Sequence, residues 1–252
     1  MQPPKCIIPL FLATSSETFI QWGSAILYEY QKKPFLVTAA HVVDGLEGNS
    51  DLLMLSPKAQ LIPIPQKWQL TSFPTGKTRK DDKMDIAVSI LDDDIAVGMI
   101  QLGFGFLGET TMDAREITKL DKLVYVGYPF NNQTCTHFQE GSLVQLQPVA
   151  FHTHKVSNPE IEGLGFSADH HIVAELNISR SNPLPSQKPD TPMPPGMSGG
   201  MVLRYENDQP AGFVGVIHRW TDPGYLIGTR SYALIQILDA AITENTTIVS
   251  TQ

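Results

Sequence analysis

Apolar positions along this chain fall in short runs, not in long periodic stretches. Runs rich in Val, Ile, Leu, Phe and Tyr occupy Ala25–Tyr30, Phe35–Ala39, Asp51–Leu55, Ile86–Leu91, Leu123–Tyr128, Ser142–Val149, Ile172–Ile178, Met201–Tyr205, Phe213–His218 and Tyr232–Ile237. Their length, their β-branched and aromatic content and the turn residues between them predict strands. Helical spacing is confined to Ala40–Leu46, one turn after a strand, and to Ala233–Thr243, which closes the chain. Many short strands with regular turn signals predict an all-β sandwich or barrel. No repeat with a clean period is present. A soft boundary falls in Asp92–Asp121, where Gly and acidic residues gather and Asp92, Asp93 and Asp94 read as solvated loop charges.

Composition narrows the partners. With 42% hydrophobic and 17% charged residues the chain is not a disordered polyelectrolyte. Its net charge of −8 disfavours non-specific binding to nucleic acid or to anionic membrane surfaces. No run reaches the roughly 18 apolar residues of a membrane helix. The segment Met1–Ala13 is broken by Pro9 and lacks the basic start of a secretory signal, so a cytoplasmic location is expected. Two cysteines, Cys6 and Cys135, are too few for a disulfide scaffold; one bridge between them stays open, and two reduced thiols is the simpler reading. The 19 glycines and 19 prolines favour turns, and six of the prolines lie in Ser181–Gly196, a stiff loop.

Three segments carry chemistry jointly. In Phe35-Leu-Val-Thr-Ala-Ala-His41 a strand runs into a small-residue turn that presents one histidine. In Met84-Asp85-Ile-Ala-Val88 an aspartate opens an apolar strand, where its carboxylate can be buried against a partner. In Pro195-Gly196-Met197-Ser198-Gly199-Gly200 a serine sits in a glycine-rich turn ahead of a strand. A serine hydroxyl is a weak nucleophile until an imidazole takes its proton. The imidazole in turn needs a carboxylate to fix its tautomer and stabilise the imidazolium. Glycines beside the serine let backbone N–H groups converge on one point, where an oxyanion can be stabilised.

With Thr38-Ala-Ala-His41, Asp85-Ile-Ala-Val88 and Gly196-Met-Ser198-Gly-Gly200 in this order, the chain resembles the trypsin/chymotrypsin-fold serine proteases, closest in style to bacterial Deg-type and glutamyl-endopeptidase-type members. Trp22-Gly-Ser-Ala-Ile26 is similar to the strand that precedes the family's histidine motif. Val126-Gly-Tyr-Pro129 and Val214-Gly-Val-Ile217 look like strands of its second barrel. The resemblance implies two six-stranded antiparallel β-barrels with a short C-terminal helix. Residues 1–110 would form the barrel carrying His41 and Asp85, and residues 111–252 the barrel carrying Ser198. It implies a serine endopeptidase acting on protein or peptide substrates through an acyl-enzyme. His41 would be the general base, Asp85 its orienting carboxylate and Ser198 the nucleophile, with the N–H groups of Gly196 and Ser198 as the oxyanion hole. No cofactor or metal is expected.

The family's pattern is not matched everywhere. The chain lacks the N-terminal sequence of zymogen-type members, and Met197 stands where they carry an acid. Activation by cleavage is therefore not expected. Pro192 occupies the position of the acid that gives trypsin-type members their preference for Lys and Arg. The resemblance places Met193, His218 and Trp220 around the substrate pocket. If Trp220 aligns with the tryptophan that follows the pocket strand, His218 takes the place of a pocket histidine, and cleavage after Glu, Asp or Gln is expected. Counting from Gly215 instead shifts His218 by one place and removes that expectation.

Other readings compete. The same fold supports catalytically inactive binding modules. Gly196-x-Ser198-x-Gly200 also fits the nucleophile elbow of α/β-hydrolases, but a strand follows it and the later His218 is too close for that architecture. Gly103-Phe-Gly-Phe-Leu-Gly108 matches a dinucleotide fingerprint without the strand and helix that motif requires, and reads as a turn. His152, His154, His170, His171 and the pair Cys135 and His137 lack the spacing of a known zinc motif and read as exposed loop residues.

Overall fold

A computed structural model describes residues 5–13, 18–44, 52–55, 61–64, 67–73, 75–129, 135–137, 148–176, 196–221 and 224–249. The first half holds β1 (Ile7–Ala13), β2 (Thr18–Tyr30), β3 (Lys33–Ala39), α1 (Ala40–Val43), β4 (Leu52–Leu55), β5 (Leu61–Pro63), β6 (Gln69–Leu70), β7 (Ile86–Ile90), α2 (Asp93–Gln101) and β8 (Leu107–Gly108). The second holds β9 (Lys122–Gly127), β10 (Cys135–His137), β11 (Val149–His154), α3 (Asn158–Gly163), β12 (His171–Glu175), β13 (Met201–Glu206), β14 (Gln209–Thr221), β15 (Tyr225–Arg230) and α4 (Ser231–Val249).

The strands form two sheets. The first runs β5-β4-β1-β2-β3-β7-β6, with β8 and β10 adding short pairings to β2. It therefore has more strands than the six expected, and β10 reaches it from the C-terminal half of the chain. The second has six strands in the order β11-β9-β13-β14-β15-β12. Its edges meet, because Lys155 bridges Ala174 and the Val156 N–H donates to Val173 O at 2.9 Å. That brings the two edge strands of the second sheet together at one end.

Why the apolar runs do not alternate is visible in the cores. Along β2, Ile26, Tyr28 and Tyr30 face one cluster while Ala25 and Leu27 face another. In β9, Val124 and Val126 face the first of these clusters, and Leu123 and Tyr125 face a third. The shared cluster is the junction of the two sheets, and Leu234, Leu238 and Ala241 of α4 pack into it. Central strands are thus buried on both faces and must be apolar at nearly every position. Their continuous hydrophobicity is a consequence of two sheets packing together.

Some sequence expectations need correction. Tyr232–Ile237 is the first part of α4, not a strand; its buried residues follow a helical stripe. A short apolar run is ambiguous between the two by periodicity alone. Asp93 and Asp94 form the first turn of α2, where carboxylates complement the helix N-terminus, and not a loop. The strand β1 went unread because of Pro9. Pro9 pairs with Ser24 on one side, while β4 reaches only Leu10, Phe11 and Leu12 on the other. The missing N–H therefore falls beyond the end of the β4 pairing. Most of the expected strand Ser142–Val149 lies outside the described residues. Cys6 is a free, buried thiol whose pKa burial pushes up to about 11. Among the described residues no helix is long and apolar enough to cross a membrane.

A buried ion network holds the second sheet. The Arg204 guanidinium, 3% exposed, lies 3.2 Å from Asp113 and 3.5 Å from Asp121. Burial alone would raise the Asp113 carboxyl, but hydrogen bonds from Arg115 and the Arg204 and Arg115 charges hold it below its ordinary value of 3.8. A depressed folded-state pKa adds stability above the unfolded value, and this is lost as pH falls through the folded one. Asp113→Asn is therefore expected to cost roughly 3 kcal/mol at neutral pH by leaving Arg204 short of a buried partner. It should also flatten the loss of stability below about pH 4. Urea melts of both proteins across that range check this.

Candidate active site

His41 is carried by α1, the single helical turn that follows β3. Its side chain is 41% exposed, whereas that of Asp85 is 2% exposed. The two meet at both ends of the carboxylate: the His41 backbone N–H donates to Asp85 Oδ1 at 2.9 Å, and the ring Nδ1 lies 2.7 Å from Oδ2. The Ala40 N–H also donates to Asp85 O at 3.0 Å. Asp85 adopts φ +47°, a left-handed conformation that is rare for a residue with a side chain. That turn directs the carboxylate back under α1 while the chain continues into β7.

The segment before Asp85 is tied to both sheets. Asp82, buried, accepts from the Met84 N–H at 3.0 Å, from Thr71 Oγ1 at 2.5 Å and from the Arg79 guanidinium at 2.7 Å. Arg79 also reaches Asp44, the residue that ends α1, at 2.7 Å. Arg79 therefore joins the helix bearing His41 to the loop bearing Asp85. From the second sheet, Thr229 Oγ1 donates to Met84 O at 2.6 Å and His171 Nε2 lies 2.8 Å from Lys83 O. Lys83 itself donates to Gly165 O.

Ser198 lies half-buried in a tight turn closed by the Gly200 N–H donating to Met197 O at 2.8 Å. Gly199 takes the third position with φ +85°, the left-handed conformation that a type II turn requires there. The turn is fastened to the first sheet by Ser24. The Ser24 N–H donates to Ser198 O at 2.8 Å and its hydroxyl donates to Gly196 O at 3.0 Å. That hydroxyl also accepts from the Tyr128 N–H at 2.9 Å. A Cβ on Gly23 would lie 2.9 Å from Val42, next to His41, and 3.3 Å from Ser198 O. Gly23 thus marks where α1 and the serine turn come together. The N–H groups of Gly196 and Ser198 donate to no acceptor among the described residues, and none of their hydrogen bonds joins Ser198 Oγ to His41. Such contacts are often loose before substrate binds.

Gly199 gives a prediction here. A Cβ at this position would lie 1.9 Å from Ser24 O and 2.2 Å from Thr38 Oγ1. The Ser24 backbone cannot yield without breaking its clamp on the turn, the Thr38 hydroxyl is tied to the same carbonyl, and φ +85° adds strain. Gly199→Ala is expected to destabilise the fold by about 3 kcal/mol or more. A thermal melt checks it, with Gly103→Ala, where open space surrounds the same kind of backbone, as the milder control.

The expected pocket residues fare differently. Met193 lies outside the described residues. Trp220 is half-buried and packs on the interior of the second sheet. The His218 side chain is fully buried, and its Nδ1 lies 3.8 Å from Asp85 Oδ2. His171 is buried at the start of β12 and not exposed in a loop. His152 and His154 lie on β11, and Cys135 and His137 on β10. Ser24 was visible in the sequence only as part of a strand motif, and nothing in the sequence pointed to Thr229 or Arg79.

Comparison places this geometry among known folds. No model of a known protein family matches the sequence, and no curated protein matches it. Solved structures do match. A thermostable serine protease from an extremophilic microorganism aligns with a TM-score of 0.59 at 14% identity, over 95% of this chain and 98% of its own. The serine endoprotease of Yersinia pestis aligns at 0.54 and 11% identity over 97% of this chain. A scabies mite inactivated protease paralogue aligns at 0.57 and 14% identity, over 95% of each chain. The chain spans 65% of the length of the Yersinia protein. With two sheets packed across a shared core and the histidine, aspartate and serine turns brought to their junction, this chain has the chymotrypsin-like fold of the trypsin-like serine proteases.

Proposed function

We propose that the chain is a serine endopeptidase in which His41, Asp85 and Ser198 form the catalytic triad. The observation that carries this reading is the buried Asp85 carboxylate, which holds the His41 backbone at 2.9 Å and the His41 ring at 2.7 Å. With Nδ1–H bound to Asp85, the imidazole keeps Nε2 free to take a proton from the Ser198 hydroxyl. The serine oxygen attacks a peptide carbonyl, and the Gly196 and Ser198 N–H groups receive the oxyanion. His41 then gives its proton to the leaving amine. Water, deprotonated by the same imidazole, hydrolyses the acyl-enzyme and regenerates Ser198. None of these steps draws on a metal or cofactor. Two of the solved structures that match are described as a serine endoprotease and a serine protease, which supports the reaction class. The cytoplasm is the compartment we assign, and the free thiol of Cys6 suits it.

Digestion of a peptide library, read by mass spectrometry, tests the reading. New peptide termini that vanish after the protein is treated with an irreversible serine-directed inhibitor are expected. Ester hydrolysis without any new termini would replace an endopeptidase by an esterase. Neither activity would favour an inactive binding module of this fold.

A further inference from the structure

The chain carries a net charge of −8, yet the rim of the site beside Asp85 is basic. Lys77, Lys80 and Lys83 lead into Asp85, and all three are exposed. Arg219, partly exposed, reaches the same segment from β14. Its guanidinium donates to Lys80 O at 3.0 Å and lies 3.4 Å from Asp82 O. Lys83 stands two residues before Asp85, a span of at most about 7 Å along the chain. Arg219 directly follows His218, whose ring Nδ1 lies 3.8 Å from the Asp85 carboxylate. The two sheets thus gather these cations next to the triad.

Their charge is not cancelled locally. Arg79 takes up both Asp44 and Asp82. The Asp81 carboxylate is turned onto the Thr78 N–H and hydroxyl. Those bonds hold its pKa below the ordinary 3.8, and the Lys77 and Arg219 charges lower it further, so Asp81 offsets part of the patch. Among the described residues no carboxylate lies within ion-pair distance of Lys77, Lys80, Lys83 or Arg219. Lys83 donates to Gly165 O, and Lys83 and Arg219 rest against the same Phe166 ring, 5.9 and 5.8 Å from its centroid. Carbonyl oxygens and an aromatic face hold a cation in place without neutralising it. Less side-chain freedom then remains to be lost when an anion binds.

We propose that this patch gives the site a preference for peptide substrates that carry Asp or Glu about two to four residues from the scissile bond. An extended peptide advances about 3.3 Å per residue, so a side chain at that remove from the carbonyl attacked by Ser198 reaches Lys83 and Arg219. A carboxylate there meets the planar Arg219 fork and the neighbouring ammonium groups. The acidic remainder of the protein repels the same peptide, so attraction is confined to the mouth of the site, which steers the substrate into register. The inference rests on the endopeptidase reading and names its substrate class.

The test uses matched peptides with Asp, or Asn in its place, at each position flanking a bond the protein cleaves. kcat/KM is compared for each pair in wild type, in Lys77→Glu with Lys80→Glu, and in Arg219→Gln. Wild type is expected to favour the Asp peptide about 5- to 20-fold at one such position, and less as NaCl rises from about 0.05 to about 0.5 M. The ratio is internal to each protein, so a general loss of activity cancels. Each variant is expected to bring it within about twofold of unity or below. The lysine variant, whose altered side chains are exposed, decides if Arg219→Gln does not fold. Equal rates for Asp and Asn peptides in wild type overturn the proposal, and so does a preference that every folded variant retains. If no peptide is cleaved, the endopeptidase reading falls and the patch is read by itself, from the anisotropy of fluorescent Asp and Asn peptides. Tighter binding of the Asp peptide, lost in Lys77→Glu with Lys80→Glu, is then expected; equal binding overturns the proposal.

Discussion

Ser198→Ala is expected to lower kcat for peptide hydrolysis by about a million-fold while KM stays within a few-fold. The hydroxyl is the only atom removed, and it makes no hydrogen bond to the described residues that the turn depends on. What fastens the turn is backbone and neighbour: Ser198 O on the Ser24 N–H, and Gly196 O on the Ser24 hydroxyl. The variant should therefore melt within a degree or two of wild type, an effect of about half a kcal/mol or less. Loss of turnover with an unchanged melt separates removal of a nucleophile from collapse of the site. Initial rates over a range of peptide concentrations, with a thermal melt on the same sample, provide the check.

Asp85→Asn is expected to lower kcat by about 10⁴-fold. An asparagine fits the same space and tolerates the left-handed backbone at φ +47°, so the turn should survive. What changes is the hydrogen bonding. If the amide oxygen takes the His41 backbone N–H, the amide NH₂ faces His41 Nδ1. The ring must then accept there, and Nε2 carries the proton that it should be ready to take. The imidazolium that follows also loses its buried counter-charge. Rates and melting are read as for Ser198→Ala. A loss under about tenfold would mean that Asp85 serves the fold and not the reaction.

How far the sequence reveals this site depends on the residue. His41, Asp85 and Ser198 were legible because their chemistry needs particular residue types in particular turns, and those turns are local. His41 follows a strand within α1, Asp85 opens β7, and Ser198 occupies a glycine turn before β13. The strands were legible where an unbroken apolar run marked them. Pro9 hid β1, although it lies between β4 and β2, and the run at Tyr232 was helical. The partition into sheets was not legible in detail, since β10 pairs with β2 across more than a hundred residues of sequence.

His218 shows why the rest was hidden. Along a regular strand, alternation says which face a residue occupies. At the bulge between Ile217 and Arg219 the alternation breaks, and the side chain turns inward against Asp85. Two alignments one residue apart give opposite readings, and no spacing along the chain chooses between them. Thr229 and His171, which hold the Asp85 segment, lie on β15 and β12, and no spacing rule connects them to it. Ser24 was seen as a strand residue. Its role as the clamp on the serine turn depends on contacts more than 100 residues away.

The central claim is that Ser198 is a nucleophile activated by the His41–Asp85 pair. Reaction of the folded protein with a fluorophosphonate, followed by peptide mapping of the adduct, tests it most directly. The account predicts one adduct, on Ser198, absent in Ser198→Ala and formed far more slowly in Asp85→Asn. No adduct on the folded protein, or an adduct at another residue that persists in Ser198→Ala, would contradict it.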